Sequence, residues 1–376
     1  MSKNIKTLLV GDAMIKDDKF VMNWEKYMQE YGNDYIAGMY EADFPSLQKK
    51  RLVVEHEGPE QEPACDFFKE NGKDAEMALA LFAPFNKEAL SYMPNLKIAG
   101  VCRDGTQNVN IEECTKRGIL VFNVRGRNAH AVSDFTVGMM LAEARNIGRA
   151  HAALKSGDFR KNFSNAGMVP DFQDRTVGLV GFGYIGSLVA RKLSGFQVKV
   201  LVYDPFVDKA LIESYPGCQK VDDIMDVMKN SDFISIHTKA TEKTKNLVGE
   251  KEIAAMKPSA YLINTARATI VDQHALYNAL KEKRIAGAAL DVFMAEGTGF
   301  FDKDTQEGRD SMMFCELDNV TITTHIAGST DDVFTNSPGL LMNDIKKLLK
   351  GEQASFIKNP EVLENPEFKA WLESKK

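Results

Sequence analysis

The segment from Thr176 to Pro205, TVGLVGFGYIGSLVARKLSGFQVKVLVYDP, constrains this chain more than any other. Val177, Leu179 and Val180 predict a short apolar strand. Gly181, Gly183 and Gly186 follow as G-x-G-x-x-G, and Ile185, Leu188, Val189 and Leu193 recur at helical spacing. Val198, Val200, Leu201 and Val202 predict a second strand, which ends at Asp204. Strand, glycine turn, helix, strand and terminal acid is the order of a dinucleotide-binding βαβ unit. In such a unit Gly181 allows the tight turn, Gly183 lets the backbone approach a pyrophosphate, and Gly186 lets helix and strand pack closely. Tyr184 and Ile185 open the helix, where free N–H groups and the positive dipole end suit phosphates. Asp204, about twenty residues beyond the glycines, can accept from both ribose hydroxyls. Pro205 and Phe206 follow it rather than an arginine, which favours NAD over NADP. The lesser alternative for Asp204, taken alone, is a strand-end residue that caps the next turn.

The motif starts in mid-chain, so a large region precedes it, and 376 residues suggest two domains. Strands are expected over 6–10, 51–55, 78–82, 96–102 and 119–123, with helices over 17–31 and 111–117. A long helix is expected over 129–148. Beyond the motif, strands are expected over 233–237, 261–264, 287–293 and 320–323, with helices over 274–283 and 339–350. Alternating β and α elements imply mostly parallel, doubly wound sheets. Phe356, Phe368 and Trp371 are the expected anchors of a polar tail.

A net charge of −6, with acids and bases interspersed, argues against a nucleic-acid surface. Five scattered cysteines with no C-x-x-C pair suggest neither a disulfide framework nor a metal site. They fit a reducing cytoplasm. Neither a signal peptide nor a membrane-spanning run is expected, so no membrane partner is either.

Three further segments carry ionisable groups just past apolar strands. Arg267 follows YLIN, Asp291 and Glu296 follow GAAL, and His325 follows VTITT. In open α/β sheets the carboxyl ends of strands are where ligands bind. Each group also has an ordinary reading. Arg267 suits a surface cation, Glu296 a solvated turn, and His325 a histidine satisfied within a core.

Taken in order, these segments resemble the D-isomer-specific 2-hydroxyacid dehydrogenases, a family that includes D-3-phosphoglycerate dehydrogenase. The matching pieces are LKIAGVCRDGTQNVNIEECTKRGI, GRNAHAVSDFTVGMMLAEARNI, TVGLVGFGYIG, SIHTKATEKTKNLVG, MKPSAYLINTARATIVD, GAALDVFMAE and TTHIAGST, over roughly residues 94–350. The resemblance implies an α/β fold of two doubly wound domains. A Rossmann NAD-binding domain, 126–335, is inserted in a flavodoxin-like substrate domain, 1–125 and 336–376. Substrate would lie in an interdomain cleft whose closure excludes water. The resemblance also implies a homodimer, and hydride transfer between NAD and a small 2-hydroxy or 2-keto acid. Arg267, Glu296 and His325 would be catalytic. His325 would exchange the hydroxyl proton. Glu296 would fix its tautomer, and Arg267 would hold the substrate carboxylate. His237, Thr265, Ala266, Asp291 and Gly328 match cofactor-side positions. The loop Arg103-Asp104-Gly105 matches the region whose N–H groups hold the carboxylate.

The sequence departs from the family pattern in places. Ala268 and Gly297 replace a common glycine and proline, and Lys239 stands where proline is frequent. Residues 297–318 form a long segment suited to a lid or to a surface insertion. Arg103 and Arg125 replace smaller residues. Arg103 suits either an extra cation for a phosphorylated or polyhydroxylated acid or a partner for a nearby carboxylate. Two rivals share the fold. One is an NAD(H)-sensing protein without turnover; the other is a formate dehydrogenase, against which the arginine–glutamate–histidine set argues.

Overall fold

The computed structural model describes residues 3–376 and divides into two compact units. One runs as far as Arg127 and resumes over Thr330–Lys376; the other is Asn128–Ser329.

The first unit holds β1 (Thr7–Gly11), β2 (Tyr35–Met39), β3 (Met77–Ala80), β4 (Ile98–Val101) and β5 (Leu120–Phe122). All pairs are parallel, in the order β2-β1-β3-β4-β5. That is the flavodoxin-like order, with its switch point between β1 and β3. The four strands other than β2 are wholly buried, as expected of parallel strands covered on both faces. Phe20, Trp24, Leu79, Phe122 and Leu341 pack on one side. Phe368 joins them, with Phe356 and Trp371 against the same core, so the tail is anchored as expected.

The second unit holds β6 (Thr176–Val180), β7 (Lys199–Tyr203), β8 (Cys218–Val221), β9 (Phe233–Ile236), β10 (Tyr261–Asn264), β11 (Gly287–Leu290) and β12 (Val320–Ile322). Their order is β12-β11-β10-β9-β6-β7-β8, again all parallel. This is the Rossmann order with one extra strand, and its switch point lies between β6 and β9.

Three expectations need correction. The stretch 51–55 is not a strand but part of the helix Phe44–Glu57, whose N-cap Asp43 accepts from the Ser46 N–H. The helix expected over 129–148 ends at Ala144. Asn146 adopts a left-handed conformation, φ 57°, and a separate helix follows over Ile147–Lys155. The helix expected from 339 begins at Asp331, capped by Thr330, and runs through Pro338.

Candidate active site

The glycine turn joins β6 to the helix Tyr184–Leu193. Gly181 has φ +102°, and a Cβ there would lie 2.7 Å from the His237 carbonyl carbon, so only glycine fits. A Cβ on Gly186 would come within 2.4 Å of the Gly181 oxygen. Gly183, by contrast, faces open space: a Cβ there would meet nothing within 4 Å. Two glycines are therefore consumed by packing, and the third leaves room against the backbone. The helix that starts there has no side-chain cap, so its first N–H groups and positive end remain available. The residues present fit a pyrophosphate.

Asp204, just past β7, accepts from the Phe182 N–H at 2.8 Å and from the Phe206 and Val207 N–H groups at 2.9 and 3.2 Å. The capping role is thus real; one lone pair on the oxygen that meets Phe182 remains for a further donor. Tyr184 is largely exposed, while Ile185 packs against the core.

His237 follows β9 across the switch point. It is half-buried, its Nε2 lies 2.9 Å from the Ser235 Oγ, and the loss of water around the ring pushes its pKa down to about 4. It is neutral at ordinary pH, as suits a structural residue beside the glycine turn. Thr265 is buried, with its hydroxyl 2.8 Å from that of Thr136. Gly328 packs so closely on Asn128 that a Cβ would meet its side chain at 2.4 Å.

Arg267 lies exposed just beyond β10. Asn264, at the strand end, clips its loop: Oδ1 accepts from the Ala266 N–H and Nδ2 donates to the Arg267 carbonyl, each at 3.0 Å. One Arg267 Nη donates to the Ala266 carbonyl, 2.7 Å away. Glu296 and His325 meet directly, with the Nδ1 nitrogen 2.9 and 2.7 Å from the two carboxylate oxygens. Burial pushes Glu296 up, yet the hydrogen bond and charge of His325, the Phe293 backbone and the Arg267 charge together hold it below the usual carboxylate range. The structure brings these three groups together.

Asp291 is completely buried at the end of β11. It accepts from the Thr323 hydroxyl at 2.6 Å and from the N–H groups of Ile326 and Ala327 at 3.0 and 2.9 Å. Those donors flank His325, whose φ of 57° is left-handed. Such a conformation costs a non-glycine residue about 1–2 kcal/mol and persists only where its surroundings impose it. Asp291 imposes it, a role that strand-end position alone did not reveal.

The segment after Glu296 is tied down. Phe300 meets Phe293 edge-on at 5.0 Å, Phe314 is buried, and the Ser311 hydroxyl accepts from the Ala295 N–H. In the first unit, Arg103 donates to Glu55 at 2.6 Å, so the carboxylate-partner reading of that residue holds. Asp104 is exposed, and its carbonyl accepts from Asn123. Gly105 sits against the Gln107 side chain.

A family model described as "D-isomer specific 2-hydroxyacid dehydrogenase, NAD binding domain" matches residues 137–327. A glyoxylate reductase of Thermofilum pendens is 35% identical over 314 residues, covering 83% of this chain and 89% of that protein. A D-3-phosphoglycerate dehydrogenase of Methanocaldococcus jannaschii is 35% identical over 274 residues, 73% of this chain; the chain spans about half, 49%, of that relative. Among solved structures, the NAD-complexed D-isomer specific 2-hydroxyacid dehydrogenase of Lactobacillus delbrueckii ssp. bulgaricus superposes with a TM-score of 0.72. It covers 94% of this chain and 100% of that one, at 26% identity.

Proposed function

This chain belongs to the D-isomer-specific 2-hydroxyacid dehydrogenase family of NAD-dependent oxidoreductases, and on that premise we propose that it interconverts a D-2-hydroxy acid, phosphorylated or a sugar acid, with its 2-keto acid. The observation that carries this reading is the Glu296–His325 pair beside Arg267, all three just past strands of one parallel sheet. NAD bound at the glycine turn supplies the hydride acceptor, or in its reduced form the donor.

The remaining work falls to side chains. Arg267 holds the substrate carboxylate and polarises the C2 oxygen with its planar fork. In the first unit, the N–H groups around Asp104 and Gly105 are suited to hold a carboxylate. Glu296 accepts the hydrogen bond from the Nδ1–H of His325, which leaves Nε2 as the basic nitrogen. In oxidation Nε2 accepts the hydroxyl proton while the C2 hydrogen departs with its electron pair and C2–O becomes a carbonyl. In reduction Nε2 returns that proton. Gly181, Gly183, Gly186, Tyr184 and Ile185 would hold the pyrophosphate and Asp204 the ribose. His237, Thr265, Ala266, Asp291 and Gly328 would frame the nicotinamide end.

A homodimer through the second unit fits the exposure of Ile147, Leu154 and Phe159. The five cysteines are free thiols, which supports a cytoplasmic setting. The test of the site is direct. Arg267→Ala and His325→Ala should each lower kcat with a 2-keto acid by about 10²–10³ or more, while NADH still titrates the protein by fluorescence. Near-parental rates in both variants would refute the assignment.

A further inference from the structure

The edge strand β8 carries a lysine that reaches over to the neighbouring loop. β8 ends the second sheet and pairs with β7 alone, with Lys220 opposite Val202 and Val221 opposite Tyr203. Opposed residues of a parallel pair share a face, so Lys220 leaves the strand on the side where Val202 packs with Phe182, Val207 and Cys218. A lysine on an edge strand is ordinarily a solvated charge that blunts the edge against further pairing. Lys220 is instead half-buried, and its Nζ donates to the Val207 carbonyl at 2.7 Å. Among the described residues no carboxylate pairs with it.

Val207 belongs to the loop that leaves β7. Asp208, the N-cap of the helix Lys209–Glu213 that follows, makes no side-chain cap, so it does not tie the loop down. Asp204 does: Oδ1 accepts from the N–H groups of Phe206 and Val207, and Oδ2 accepts from that of Phe182 in the glycine turn. Val207 is therefore held on both sides, its N–H by Asp204 and its carbonyl by Lys220. A run of bonds leads from the Lys220 ammonium through Val207 to the Asp204 carboxylate, and on to the turn between Gly181 and Gly183.

The carboxylate is planar, so its two oxygens turn together. The donors on Oδ1 thereby set the direction in which Oδ2 offers its remaining lone pair. Those donors lie on the loop that Lys220 holds. A bond from an ammonium to a carbonyl is charge-assisted and stronger than one between neutral groups, which suits it to fix a loop at the rim of a sheet.

We propose that Lys220 is a positioning residue of the cofactor site. Acting through Val207, it fixes the plane of the Asp204 carboxylate, and so sets the affinity for the adenosine ribose of NAD and the preference over a 2′-phosphorylated ribose. The inference rests on the reading of Asp204 as the ribose acceptor.

The test titrates the full chain with NADH and with NADPH by fluorescence, with melting temperatures to check that each variant is folded. Lys220→Met keeps the apolar stem and removes the donor. It should weaken NADH binding about five- to tenfold with little change for NADPH, so the affinity ratio falls by the same factor. Lys220→Arg can still donate to the carbonyl and should return the ratio to within about twofold of the parent, a rescue that a general loss of packing would not show. On an Asp204→Ala background, Lys220→Met should change NADH binding by less than about twofold, because the two residues act in series. Should Lys220→Met fail to fold, Lys220→Gln, neutral and shorter, supplies the same comparison. Parental NADH affinity in the folded variant overturns the inference, and so do losses that add in the double variant. A loss confined to NADPH also overturns it, since it would reveal a cation acting on phosphate by charge rather than on Asp204 by position. If Asp204→Ala binds both dinucleotides as the parent does, the ribose reading falls and takes the inference with it. A responsive Asp204→Ala beside an unresponsive Lys220→Met sinks the inference alone.

Discussion

Acidification should weaken the second unit through a single imidazole. His237 is half-buried, its Nε2 meets the Ser235 hydroxyl, and no carboxylate pairs with it among its hydrogen bonds. Burial lowers its pKa from 6.5 to about 4. The folded protein therefore binds fewer protons than the unfolded chain between those values, and its stability must fall as pH falls. The contribution is fully present above pH 6.5. It declines by about 2 kcal/mol at pH 5 and about 3 kcal/mol at pH 4, since one pKa unit is worth 1.36 kcal/mol. The effect lands on the cofactor turn, because the His237 N–H donates to the Val180 carbonyl and its own carbonyl carbon lies against Gly181. Urea unfolding of the parent and of His237→Gln between pH 7.5 and 4.5 isolates the term. Glutamine is neutral throughout and can still bond Ser235. The difference in unfolding free energy between the two proteins should change by about 2 kcal/mol between pH 7 and pH 5, with the parent losing more. Parallel curves would show that the imidazole is hydrated or paired in the folded state, and the argument from burial would fail.

Other perturbations separate packing from binding. Gly183→Ala should fold with an almost unchanged melting temperature yet weaken NADH binding about tenfold or more, whereas Gly181→Ala should lose several degrees first; calorimetry and fluorescence titration distinguish them. Asp204→Ala removes the acceptor for three N–H groups and should both destabilise the protein by about 1–2 kcal/mol and relax its preference for NADH over NADPH. Equal rejection of NADPH by parent and variant would refute the ribose role. Asp291→Ala leaves buried donors unpaired and should cost about 3 kcal/mol or more by urea unfolding, with kcat falling further than NADH affinity.

Much of this was legible in the sequence, for physical reasons that differ between elements. Strands buried on both faces read as unbroken apolar runs, and YLIN at β10 lies where its run predicts. The edge strands β2 and β8 were not recognised, because YIAGM and CQKV are only partly buried and show no such run. RLVVE imitates a strand through its β-branched pair, yet Asp43 and Pro45 had already opened a helix, and Leu47 and Val54 recur on one buried face. The order of motifs pointed to Arg267, Glu296 and His325 together. It could not point to Glu55 beneath Arg103, since the two lie 48 residues apart and nothing local couples them.

Two carboxylates five positions apart, Asp291 and Glu296, act on the same histidine in different ways, and their environments explain why. Asp291 is buried and spends its charge on the backbone on one side of His325 and on Thr323. Charge-assisted bonds of that kind are strong where water is excluded. They hold the left-handed residue in place without help from its ring. Glu296 is half-exposed and faces the ring, with the Phe293 backbone as its other partner, so it can respond to the proton that His325 gains or loses. Had one carboxylate served both purposes, each protonation of the imidazole would have disturbed the loop that presents it. Separating a fixed clamp from a responsive partner lets the proton move while the geometry stays, and the strand end at Leu290 places both within reach of one side chain.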